Sequence, residues 1–156
     1  MSIRRRSRST AARRRSRGQT LVEFAFVAPI FFFMLFAIID FGRYVYYVQI
    51  INNAAREGAR YAIVHGSNSF QPTGPGDDNT KIESVVRNYT VGVIGSGAVL
   101  NVDSYWRDPT NPLDVPSNNR GQEVHVYVTY DFHPIIPLVP IPGITITGES
   151  SLVINN

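Results

Sequence analysis

From Phe24 to Ile39 the chain runs through sixteen consecutive residues with no charge and almost no polarity (FAFVAPIFFFMLFAII). No polar stripe recurs at helical spacing, so a helix built from this run is apolar all round. Adding Leu21–Glu23 before it and Asp40–Gly42 after it gives 22 residues. As a helix they extend about 33 Å, enough to cross the hydrocarbon core of a bilayer. No soluble domain of this size needs so long a helix that is apolar all round, and the lack of any polar face argues against a buried central helix. The pattern predicts one membrane span over about 21–42, mildly kinked at Pro29.

Beyond Gln49 the pattern turns amphipathic. Ala54, Ala55, Gly58, Ala59 and Ala62 follow i, i+3/i+4 spacing and form a smooth stripe, while Arg56, Glu57 and Arg60 crowd the other side. A stripe of small residues lets another backbone approach closely, either this protein's own sheet or a neighbouring subunit. Asp40 and Arg43 stand one turn apart and pair at the outer interface. Tyr44, Tyr46 and Tyr47 read as an aromatic belt at the membrane–water boundary, a reading compatible with core packing. Gly66 fits a helix stop.

Gly66–Asn79 is a turn-rich linker. In Thr80–Ile94, Ile82, Val85, Val86 and Tyr89 fall at helical spacing, with Thr80 as a cap and Glu83 three positions later. Ala98–Trp106 reads as a strand, and a proline-containing loop over Arg107–Gly121 follows. Glu123–His133 alternates cleanly: Val124, Val126, Val128, Tyr130 and Phe132 face one way, and His125, Tyr127, Thr129 and Asp131 the other. Prolines 134, 137, 140 and 142 then make an extended apolar connector, and Ile144–Ile154 is a last strand. The predicted fold is α+β. A long N-terminal membrane-spanning helix packs its outer half on a small antiparallel meander. Three regions follow: a basic leader over 1–18, a helix over 19–65 with its amphipathic half at 43–65, and an outer domain over 66–156.

Charge sharpens the topology. Eight of the 15 basic residues are arginines within the first seventeen positions, and the chain beyond Gly18 carries seven basic against 12 acidic residues. The tail has little to bury and is expected to be disordered. Clustered arginines before a span stay in the cytoplasm, so the N-terminus lies inside and the outer domain outside. The same arginines favour anionic lipid headgroups as partners, and a nucleic-acid partner is not expected.

Absence of cysteine excludes disulfides and thiolate chemistry. His65, His125 and His133 are too scattered for a metal motif, and each reads as a surface or internally satisfied histidine. Asp103, Asp108 and Asp114 lack the spacing of a calcium loop. Gly74-Pro75-Gly76 lacks the lysine and hydroxyl residue of a phosphate loop. Trp106 reads as closing a core edge. No catalytic constellation, metal site or cofactor is expected, and the protein is not read as an enzyme.

Glu23 opens the apolar run. A carboxylate at that depth is costly unless it finds a partner. Gly18-Gln19-Thr20-Leu21-Val22-Glu23, after a basic leader and before a span, resembles the cleavage region of type IV prepilins. The composite GQTLVEFAF…IIDFGR…NNAAREGARYA looks like the TadE family, the pseudopilin-like proteins of tight-adherence (Tad, or Flp) pilus systems, over about 44 residues. The resemblance implies a minor pilin of a type IVb pilus, cut between Gly18 and Gln19 by a prepilin peptidase. It implies that Glu23, with Thr20, Leu21 and Phe24 around it, docks against neighbouring subunits, the glutamate compensating an adjacent N-terminal amine. The partners implied are other pilin and pseudopilin subunits and the assembly machinery. The location implied is the inner membrane, single-pass, with possible incorporation into an external pilus. The alternative reading of the residues is an uncut single-span anchor displaying a small outer binding domain, with Glu23 only stabilising the helix start.

Overall fold

The computed structural model describes residues 11–75, 79–95, 99–111, 115–135 and 143–155, with side chains from Gly18 onward. The expected leader residues 1–10 and most of the connector, 136–142, lie outside the described residues. Five elements follow in order: α1 (Ala11–Val64), α2 (Thr80–Ile94), β1 (Leu100–Arg107), β2 (Glu123–Phe132) and β3 (Ile144–Val153). The architecture is α+β: one long helix packs its outer half on a three-stranded antiparallel sheet of order β1-β2-β3.

Helix α1 has 54 residues and runs unbroken through Pro29, a length of about 80 Å. It reaches back into the tail expected to be disordered, since Ala11 to Arg17 are helical. Alanine and arginine are strong helix formers, and extending an existing helix avoids the cost of nucleating one. Its end at Val64 falls where expected, but Gly66 does not make a left-handed cap. The positive-φ glycines among the described residues are Gly95 and Gly121. The His65 carbonyl accepts instead from the Thr73 amide at 2.7 Å, as the linker folds back on the helix end.

Helix α2 starts at Thr80, so Thr80 is not its cap. Asn79 holds that position without a side-chain cap bond. The Asn79 side chain serves the sheet, accepting from Ser104 Oγ at 2.6 Å and donating to Asp103 at 3.3 Å. The buried face of α2 is Ile82, Val86 and Thr90, and Tyr89 is exposed. Thr90 turns inward because its hydroxyl is satisfied locally, by the Val86 carbonyl at 3.0 Å.

The sheet is a meander in which Val102 faces Val128, and Val128 faces Gly148 on the far side. The alternation of β2 holds on its inner face: Val124, Val126, Val128 and Phe132 are buried and Tyr130 half-buried. Against them lie Ile51, Ala54, Ala55, Ala59 and Ala62 of α1, and Ile82 and Val86 of α2. Leu100, Trp106, Ile146 and Ile154 close the rim of the core.

Candidate functional site

Beyond the leader, the first turns of α1 stand clear of everything else. Gly18, Gln19, Thr20, Leu21, Glu23 and Phe24 are all exposed. Gln19 Nε2 donates to Glu23 Oε1 one turn later, at 3.4 Å. No part of the apolar window of the span is buried inside the protein. Phe24, Phe26, Ile30, Met34 and Ile38 are each more than half exposed. So much bare apolar surface needs lipid or other helices around it.

Where the span ends, helix and head are clasped together. Arg43 Nη1 lies 2.9 Å from Asp40 Oδ1. Asp40 also accepts the Ile135 backbone amide at 3.1 and 2.9 Å through its two oxygens, so the start of the β2–β3 connector hangs on the helix. This second role of Asp40 has no signal in the spacing of residues, because its donor is main chain 95 positions away. The Arg43 guanidinium sits over Phe132 at 5.3 Å and Tyr47 at 5.6 Å. Tyr44 and Tyr47 present edges to Phe132, each with centroids 5.7 Å apart. Two of the three belt tyrosines are therefore head-packing residues, and Tyr46 is the exposed one. Beside the clasp, Ala37, Phe41, Tyr44, Phe132, Pro134 and Ile144 line an open groove of about 360 Å³ together with Asp40.

The small-residue stripe faces the protein's own head. Ala54, Ala55, Ala59 and Ala62 are fully buried and Gly58 is buried with them. A Cβ on Gly58 would stand 3.0 Å from Val86 and 3.2 Å from Ile82 and Val126, so α2 and β2 converge on that glycine.

The outer face of the sheet carries a polar cluster. Arg107 Nε and Nη2 both donate to Glu123 Oε2 at 3.1 Å. His125 is buried between them and Tyr105, with the two rings stacked at 4.6 Å. Its Nε2 lies 3.2 Å from Glu123, near enough for attraction but not aligned for a hydrogen bond. Tyr127 shares a hydrogen bond with Tyr105 at 3.2 Å and donates to Glu149 at 2.7 Å, and these contacts push its hydroxyl well above the usual range. For Glu123, burial pulls the carboxyl upward, but His125 and Arg107 outweigh it and hold it below its ordinary 4.5. A depressed carboxyl stabilises the fold above the unfolded value and loses that contribution as pH falls through the folded one. The head is therefore expected to lose stability on acidification below about pH 4.5, and Glu123→Gln to flatten that slope. Thermal unfolding at several pH values checks this; equal slopes for variant and wild type would show that the pairing contributes nothing.

The remaining polar candidates are held internally. His65 Nδ1 lies 2.9 Å from the Tyr61 carbonyl, with the two rings stacked. Asp108 accepts from Thr110 at 2.6 Å and Gln122 at 3.2 Å, Asp103 accepts from Asn79, and Asp114 lies outside the described residues. Among the described residues no group of three or more acidic or histidine side chains could hold a metal ion. Trp106 is buried in the core edge.

Among the described residues one apolar helix is long enough to cross a membrane, bare over its N-terminal half and covered by a small α+β head over its C-terminal half, an arrangement that fits a single-pass membrane anchor. Residues 18–60 match the family described as TadE-like protein, and the match covers the apolar run, its opening glutamate and the small-residue stripe as far as Ala59. That family implies involvement in Tad pilus assembly. The match ends before the head begins. No curated protein and no solved structure matches the chain.

Proposed function

We propose that the protein is a minor pilin or pseudopilin of a Tad-type (type IVb, Flp) pilus, held in the inner membrane with its leader inside and its head outside. A prepilin peptidase cuts after Gly18, and the freed helix exchanges lipid for the helices of sister subunits. The observation that supports this best is the bare apolar rod with Glu23 at its opening. Glu23 already reaches Gln19, the residue that would carry the new α-amino group. In an assembly, that carboxylate meets an amine of a neighbouring subunit at the same depth, which removes the cost of an unpaired charge in lipid. Gly18 is the weakest point of helix between Ala11 and the span, since glycine costs about 1 kcal/mol relative to alanine in a helix interior.

The uninterrupted helix through Gly18 favours a second reading, a permanent uncut anchor displaying the head. Mass spectrometry of the protein isolated from its own cells separates the two. A chain beginning at Gln19 supports the pilin, and one retaining Met1–Gly18 supports the anchor. Glu23→Ala is expected to leave cleavage mostly intact and to lower entry into pilus structures. Normal piliation by that variant would argue against docking through the carboxylate.

A further inference from the structure

We propose that the neck groove between α1 and the open end of the sheet is a binding site for one phospholipid of the membrane around the span. The inference rests on the reading of α1 as a membrane span, but not on cleavage or pilus entry. Two walls meet there. One is Ala37, Phe41 and Tyr44, at the outer end of the apolar helix, and the other is Phe132, Pro134 and Ile144, at the sheet end.

The groove is continuous with the exposed apolar surface of the span, because Phe41 is 68% exposed and Ile38, one turn from it, 65%. Whatever solvates the span therefore reaches the groove without crossing a polar barrier. Its size, about 360 Å³, lies within the range of small-ligand sites, which run from roughly 300 to 1,000 Å³. The one acid in its lining, Asp40, is engaged by the Ile135 amide and by Arg43, so no bare anion repels a lipid. Arg43 stands one turn beyond Asp40 on the side away from the span, with about a third of its side chain exposed. An apolar cleft with a cation beside its rim, on Asp40 and Phe132, matches an acyl chain and its phosphate, and guanidinium is well suited to phosphate. Asp40 thus acts as a positioning residue: it turns Arg43 and, by holding the Ile135 amide, keeps the neighbouring Pro134 in the wall.

The full chain, purified in mild detergent from membranes and exchanged repeatedly, is examined by native mass spectrometry. Near-UV circular dichroism of Trp106 and the tyrosines confirms that each variant keeps its fold. The wild type is expected to retain one phospholipid, anionic in preference to zwitterionic. Ala37→Phe fills the groove from the helix and Ile144→Trp from the sheet. Each is expected to lower retention roughly tenfold, a change of about 1.4 kcal/mol in binding. Arg43→Gln is expected to keep the lipid and lose the anionic preference. Retention equal in wild type and both filled variants would mean an unspecific lipid ring, and would overturn the proposal. So would lipid-free wild type, including a lipid-free dimer that the filled variants dissociate, which would give the groove to a second copy. Extraction without detergent would overturn the span itself, and is distinguishable from all of these.

Discussion

Gly148→Val is expected to loosen the head from the helix, at a cost of about 3 kcal/mol or more. Strand β3 crosses α1 with its glycine against main chain. A Cβ at position 148 would stand 2.6 Å from the Ile51 carbonyl oxygen, 2.7 Å from its carbon and 2.9 Å from the Asn52 nitrogen. A flexible side chain could swing away from such an intruder, but helix backbone in mid-ladder cannot. Either β3 lifts from α1, opening a gap beside Ile51 and Ala55, or the helix distorts. Gly148→Ala already carries the offending atom and should show most of the loss. Gly92→Ala is the control, because a Cβ there meets nothing and the position is helical. It is expected to be neutral or to add up to about 1 kcal/mol. Thermal unfolding of the head in micelles reads the difference as a fall in Tm of roughly 10 °C or more for Gly148→Val. A Gly148→Ala protein as stable as wild type would show that strand and helix are not in this contact.

Phe132→Ala is the second large effect, expected to cost about 3–5 kcal/mol. Phe132 is 2% exposed at the end of β2, where the sheet, the connector and the helix meet. Removing the ring deletes its edge contacts with Tyr44 and Tyr47 and the platform beneath Arg43. Alanine leaves a cavity under the neck that the Pro134 side is held too firmly to fill, because Ile135 is tied to Asp40. Phe132→Leu keeps most of the volume and should cost less than about 1.5 kcal/mol. Chemical denaturation of the two variants separates packing from mere hydrophobicity. Similar midpoints for alanine and leucine would mean that the ring is not the neck's keystone. The two sites are independent tests, since one sits at the middle of the α1–β3 crossing and the other at its membrane-proximal end.

Much of this was readable from residues alone, for reasons that differ by element. The span is legible because its signal is composition, and composition needs no partner. Strand β2 is legible because a sheet with one buried face imposes a period of two, and Val124, Val126 and Val128 keep it. Helix α2 spans Thr80–Ile94 as its pattern predicts, but its cap position is Asn79 and not Thr80, and both residues are cap formers. Only the sheet's demand for the Asn79 side chain shows which residue flanks the helix. Tyr89 was placed inward by helical spacing, yet Thr90 takes that place, since a local hydrogen bond removes the penalty of burying its hydroxyl. Gly148 did carry a warning. An isolated glycine within a strand pattern marks a bulge or a close backbone approach, but not what approaches.

By itself the sequence determined an apolar rod with an acid at its opening, an arginine-rich start before it and a small meander behind a linker. These follow from hydropathy, charge and period, which are properties of neighbouring residues. Tertiary structure alone decided that the alanine stripe faces the protein's own head, that Asp40 holds a main-chain amide from just beyond β2, and that a groove opens between Phe41 and Phe132. Those depend on which distant segments meet, and no local pattern encodes the partner of a small residue or of a backbone N–H.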